Sequence, residues 1–138
     1  MNKEKFNELL IKHKKWVAHL ADVPREELSN KDKYYKIKKV KNQGRELAMV
    51  KAGFKCQKCG CENNLSFHHL IMRKAKEYMP FEQYITQRNY WANIIVLCLR
   101  HHEEYHNNVD RGETAIPLSN PIPQSYIDTL KERYKDAP

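Results

Sequence analysis

The stretch Asn93-Ile-Ile-Val-Leu-Cys98-Leu-Arg-His101-His102-Glu-Glu-Tyr-His106 decides the fold. Residues 94–97 are apolar and mostly β-branched, so they read as a short buried strand. Residues 99–107 read as a helix, and His102 and His106, four apart, project from one face of it. Upstream, the run Leu65-Ser-Phe-His-His-Leu-Ile71 alternates well enough to be a second strand. Residues 80–85, between the strands, suit a short helix. Strand, strand and helix together predict an α+β fold.

All four cysteines and five of the seven histidines fall between Cys56 and His106. Structural zinc takes four thiolate or imidazole ligands in a tetrahedron, usually as two closely spaced pairs. Cys56-x2-Cys59, followed by a turn-forming Gly60, is one such pair. Cys98-x2-His101 is a second with the same spacing. Cys61 could replace Cys59 in principle, but the longer spacing makes a poorer knuckle, so Cys61 reads as a non-ligand. Four histidines then remain: His68, His69, His102 and His106. Neighbours on a strand point to opposite faces, so His68 and His69 do not both serve one ion simply. One of them would complete a three-ligand site with His102 and His106. The other is left free as a general base, since imidazole titrates near neutral pH. Three protein ligands with an open position mark a catalytic metal site rather than a structural one.

Outward from this centre the chain is basic and helical. The 138 residues carry 25 Lys+Arg against 17 Asp+Glu, a net charge of +8, with 41% apolar and 30% charged residues. That length favours one domain, and a mean hydropathy of −0.85 leaves little apolar surplus for a large core. No apolar run is long enough to span a membrane. The start, Met1-Asn-Lys-Glu-Lys5, lacks the order of a signal peptide, so a cytoplasmic location with reduced thiols is expected.

The whole charge excess sits in residues 1–55, whose net charge is +8. Its densest part, residues 31–41, has six lysines and one acid, with Tyr34 and Tyr35 between them. Lys36, Lys38, Lys39 and Lys41 are the candidate phosphate contacts in this run. An amphipathic helix is expected over 4–20, with His13 and Trp16 on its packing face. A second is expected over 31–41, an interruption at Gly44, then a short helix from Arg45 to about Ala52 capped by Gly53. A last helix should carry Ile127, Leu130 and Tyr134. The division is thus a basic arm over 1–44, a core over 45–108 and a tail over 109–138.

Taken together, Gly53-Phe-Lys-Cys-Gln-Lys-Cys-Gly60, Leu65-Ser-Phe-His-His-Leu70, Asn93-Ile-Ile-Val-Leu-Cys98 and His101-His102-x3-His106 resemble the HNH endonuclease family. The likeness is to its zinc-knuckle subgroup, a ββα-metal (His-Me finger) core stapled by a second zinc. It covers residues 45–107. One departure is the second knuckle, Cys98-x2-His101, where the family usually has a second cysteine. His101 and His102 are neighbours, so either could be assigned to either metal. The spacing to His106 favours His102 for the catalytic one.

The resemblance implies roles for individual residues. His69 would be the general base that activates water, and Asn93 would hold the loop and strand ends that orient it. His68, His102 and His106 would hold one catalytic divalent metal: Mg²⁺, Mn²⁺, Ni²⁺ or Zn²⁺. Cys56, Cys59, Cys98 and His101 would hold structural Zn²⁺. The implied reaction is hydrolysis of double-stranded DNA, leaving 5′-phosphate and 3′-hydroxyl ends. Arg73 and Arg100 flank the site and could grip the backbone. A catalytically idle zinc-stapled nucleic-acid-binding module is the alternative, and a structured RNA is the less favoured partner.

Overall fold

The computed structural model describes residues 2–22, 30–69, 87, 89–110 and 121–135, with the side chains of 21–22, 30–34 and 105–110 outside the description. Arg73, the expected helix at 80–85 and the side chain of His106 therefore lie outside the described residues.

Two long helices come first, α1 (Lys3–Asp22) and α2 (Asn30–Lys51). Strand β1 (Leu65–His69) pairs antiparallel with β2 (Ile94–Cys98), in the register Leu65↔Cys98 to His69↔Ile94. A 3-10 turn, Trp91–Asn93, leads into β2. Helix α3 (Leu99–Asp110) follows β2 without a break, and α4 (Gln124–Tyr134) closes the chain. The architecture is α+β: four helices around a two-stranded antiparallel sheet among the described residues. None of these helices is long and apolar enough to cross a membrane.

The core lies between the C-terminal half of α2, the sheet and α4. Met49, Val50, Leu65, Val96, Leu97, Ile127 and Leu130 are all buried there. Side chains of this size contribute about 1.5–3 kcal/mol each when removed from water. Helix α2 ends as its sequence suggests. Gly53 has φ 68°, and the Phe54 N–H donates to Met49 O at 3.2 Å, which satisfies a carbonyl of the last turn. At the other end of the core, the Tyr134 hydroxyl donates to Glu46 Oε2 at 2.6 Å, and Arg133 pairs with the same carboxylate. Burial and this hydrogen bond push the Tyr134 phenol well above its usual range.

The expected interruption at Gly44 is not found: α2 runs unbroken through it. Gly44 serves close approach instead. A Cβ there would stand 2.3 Å from the carbonyl oxygen of Asn89 and 3.3 Å from Ile94 Cδ1. The missing side chain lets α2 lie directly against the segment that enters β2.

The same segment is held from α1. His13 is fully buried, and its Nε2 accepts the Trp91 backbone N–H at 3.0 Å. That acceptance places the proton on Nδ1, which donates to Gln43 Oε1 at 3.4 Å. The ring stacks on Tyr90, centroids 5.5 Å apart, and Phe6 meets Trp91 edge-on. Burial lowers the His13 pKa to about 4, although the Gln43 bond opposes the shift. Helix α1 thus reaches the turn that carries Asn93.

Candidate functional site

The first cluster forms where a turn, a strand end and a helix start converge. Cys56 and Cys59 sit in a tight turn with Gly60 at φ 79°, closed by Cys56 N–H to Cys61 O at 2.8 Å. Gln57 docks this turn on the outer edge of β2. Its N–H donates to Val96 O, and its Oε1 accepts the Val96 N–H, both at 2.9 Å. Cys98 ends β2, and His101 lies in the first turn of α3.

The four ligand atoms lie within 4.8 Å of one another. Cys59 Sγ is 4.0 Å from Cys98 Sγ, and His101 Nδ1 is 3.2 Å from Cys98 Sγ and 3.7 Å from Cys56 Sγ. In a tetrahedral zinc site, sulfur–sulfur edges are about 3.8 Å and sulfur–nitrogen edges about 3.5 Å, given the usual bond lengths. These distances fit a Cys3His site for a metal ion, and the donor set suits structural zinc. Cys61 stands apart, its thiol directed to Asn63 O at 3.3 Å.

The electrostatics agree with that fit. Burial pushes the Cys56 thiol up, but the backbone N–H groups of Cys98, Cys59 and Lys58, with His101, outweigh it and bring the pKa to about 6. Cys98 is raised to about 11, first by burial and then by the neighbouring thiols. One thiolate forms readily and the next is opposed by it, an arrangement that a cation relieves. His101 turns its other nitrogen outward, with Nε2 3.9 Å from Glu104 Oε2. A carboxylate behind a ligating imidazole fixes its tautomer and raises its basicity.

The second cluster lies on the α3 side of β1. Ser66 and His68 alternate onto that face, and both are buried with His102. The His68 and His102 rings are 5.1 Å apart at 75°. Two imidazoles sharing one tetrahedral ion would have centroids about 5 Å apart.

Ser66 fixes the chemistry of His102. Its hydroxyl proton goes to Leu97 O, with Oγ to O at 2.9 Å. Ser66 Oγ is therefore the acceptor toward His102 Nδ1, at 2.7 Å, and His102 Nδ1 must carry the proton. A neutral His102 then presents the lone pair of Nε2, the state a metal ligand needs. His106 is one turn further along α3 by its position in the helix.

The remaining candidates separate. His69, half-buried, alternates to the opposite face of β1 from His68 and pairs with Ile94, the residue after Asn93. Asn93 is buried at the end of the 3-10 turn. Arg100 projects into solvent, 82% exposed, and pairs with Glu104 at 3.5 Å. Lys36 Nζ lies 3.2 Å from His19 Nε2, and Lys39 Nζ sits 4.8 Å from the Trp16 ring and 5.8 Å from the Tyr35 ring. Lys38 is exposed and Lys41 half-buried on the same helix.

The sequence reading did not single out Ser66, Gln57 or Glu104. The period-2 relation of Ser66 to His68, and the three-residue step from His101 to Glu104, were the available signals. Gln57 offered none. Comparison with known protein families, known proteins and solved structures finds no match to this chain.

Proposed function

We propose that the chain is a metal-dependent endonuclease of the HNH kind, hydrolysing DNA phosphodiester bonds. The observation that carries this reading is the buried His68–His102 pair, with Ser66 holding the His102 proton on Nδ1. Two imidazoles buried together cost desolvation without any apolar gain, so a ligand role explains them better than packing.

His68 and His102, with His106 one helical turn on, would hold one divalent ion. When bound, that ion supplies Lewis-acid neutralisation of the scissile phosphate and of the leaving oxygen. An all-imidazole set favours transition ions such as Mn²⁺, Ni²⁺ or Zn²⁺ over Mg²⁺, which prefers oxygen ligands. His69, on the other face of β1, takes the proton of the attacking water. Asn93, next to the residue paired with His69, holds the strand ends so that this imidazole keeps its aim. The Cys3His cluster keeps a structural zinc and clamps the start of α3, which sets His102. Lys36, Lys38, Lys39 and Lys41 give α2 the positive charge that attracts a duplex backbone.

The test is a plasmid-nicking assay with Mg²⁺, Mn²⁺, Ni²⁺ and Zn²⁺ in turn. Wild type nicks the plasmid, and His69→Ala lowers the rate about 10²–10⁴-fold, the usual worth of a general base, with DNA binding unchanged. Full activity in His69→Ala overturns the mechanism. DNA binding without cleavage in any metal leaves the idle-module reading.

A further inference from the structure

Arg45, on α2, is a cation with no carboxylate partner among the described residues. It is half-buried, and its Nε is buried with no hydrogen-bond partner among the described residues. The neighbouring Glu46 is engaged by Arg133 and Tyr134. The guanidinium carbon lies 5.5 Å from the centroid of the Phe67 ring, which meets the Tyr126 ring at 85°. Tyr126 is itself held neutral, since burial and Glu46 raise its phenol to about 12. Withdrawing a guanidinium from water without a carboxylate is costly, and stacking on an aromatic ring offsets only part of that.

The position of this cation gives it a use. Phe67 and His69 alternate onto the same face of β1, so Arg45 covers the face from which His69 works, opposite the face shared by Ser66, His68 and His102. A planar fork of N–H donors is suited to the oxygens of a phosphate. We propose that Arg45 is a phosphate-binding residue that takes one backbone phosphate of the nucleic acid on the His69 face of the sheet. This rests on the nucleic-acid reading above and deepens it. The lysines of α2 supply long-range attraction, and Arg45 supplies a fixed contact that sets the register of the strand.

The test measures binding of a short DNA duplex to the full chain over a range of salt, in a His69→Ala background without added divalent metal. Each phosphate contact contributes about 0.9 to the slope of log affinity against log salt. Arg45→Gln is expected to reduce that slope by about one, with zinc content and melting temperature retained. Arg45→Lys is expected to restore most of the slope, because it keeps the charge.

An unchanged slope in Arg45→Gln overturns the proposal and leaves Arg45 as a packing residue over Phe67. So does a loss that Arg45→Lys does not rescue, or a wild type with no salt-dependent binding. The outcome is separable from that of the nuclease reading. An Arg45-dependent slope in a protein that fails to cleave with every metal tested keeps the phosphate site and removes the nuclease. Cleavage with an Arg45-independent slope does the reverse.

Discussion

The two histidine-bearing clusters share one helix yet are built on opposite plans. His101 and His102 are neighbours at the start of α3, and they diverge to different partners. His101 turns Nδ1 to the thiols of Cys56 and Cys98 and Nε2 toward Glu104. His102 turns Nδ1 to Ser66 and faces His68. The first cluster has four protein donors and is geometrically complete. The second brings His68 and His102 together, with Ser66 setting the tautomer of His102. A closed set of four donors resists exchange and suits a structural ion, whereas the three-histidine site proposed above would leave a position for substrate or water. The comparison also answers which of the paired histidines lies with the cysteines, a question that spacing left open.

Breaking the closed cluster should have the largest effect. Cys98→Ser removes a ligand from a site whose metal affinity is tied to folding, worth about 10–16 kcal/mol in small zinc domains. The expected result is loss of bound zinc together with the cooperative thermal transition, read by metal analysis and circular dichroism. A Cys98→Ser protein that melts like wild type would show that the sheet and α4 hold the fold unaided.

Acid should act next, through a group outside both clusters. Burial lowers the His13 pKa from 6.5 to about 4. Below pH 6.5 the unfolded chain takes up a proton that the folded chain refuses until about pH 4. Stability is therefore full above that window and falls as pH drops through it. The loss attributable to His13 is about 3 kcal/mol. Urea unfolding at pH 7 and pH 4.5, on wild type and His13→Gln, isolates this share. The variant keeps an acceptor for the Trp91 N–H but does not titrate, so its dependence on pH should be the shallower. Equal dependence in the two proteins counts against a neutral, buried His13.

The smallest of these effects sharpens the open cluster. Ser66→Ala removes the acceptor that holds His102 in its tautomer and leaves every proposed ligand in place. Losing a hydrogen-bond partner behind a ligating imidazole costs about 10–100-fold in metal affinity or activity. Metal-dependent nicking should therefore need more metal in Ser66→Ala, with the melting temperature little changed. An unaltered metal requirement would remove Ser66 from the site.

Much of this was legible because the controlling interactions are local. The Cys-x2-Cys turn, the Cys-x2-His step and the apolar run over 94–97 act within a few residues, and the structure places them as their spacing requires. Gly44 is ambiguous in the sequence because a glycine in a helical pattern suits either a break or a close approach. Only the carbonyl of Asn89, brought in by the tertiary fold, decides between them. Ser66 carries no mark in a strand until α3 folds back and His102 meets its hydroxyl. His13 was legible as a packing residue, but its bond to the Trp91 N–H joins positions 78 residues apart. Arg45 belongs to the same class, since only the pairing of Glu46 with Arg133 shows that no carboxylate among the described residues is left for it.

The most direct measurement of the central claim is plasmid nicking before and after mild chelation, with bound metal counted on the same samples. Chelation should abolish nicking while one zinc per chain and the thermal transition persist, and added Mn²⁺ or Ni²⁺ should restore cleavage. Loss of all metal together with the fold, or no nicking with any ion, would contradict that claim.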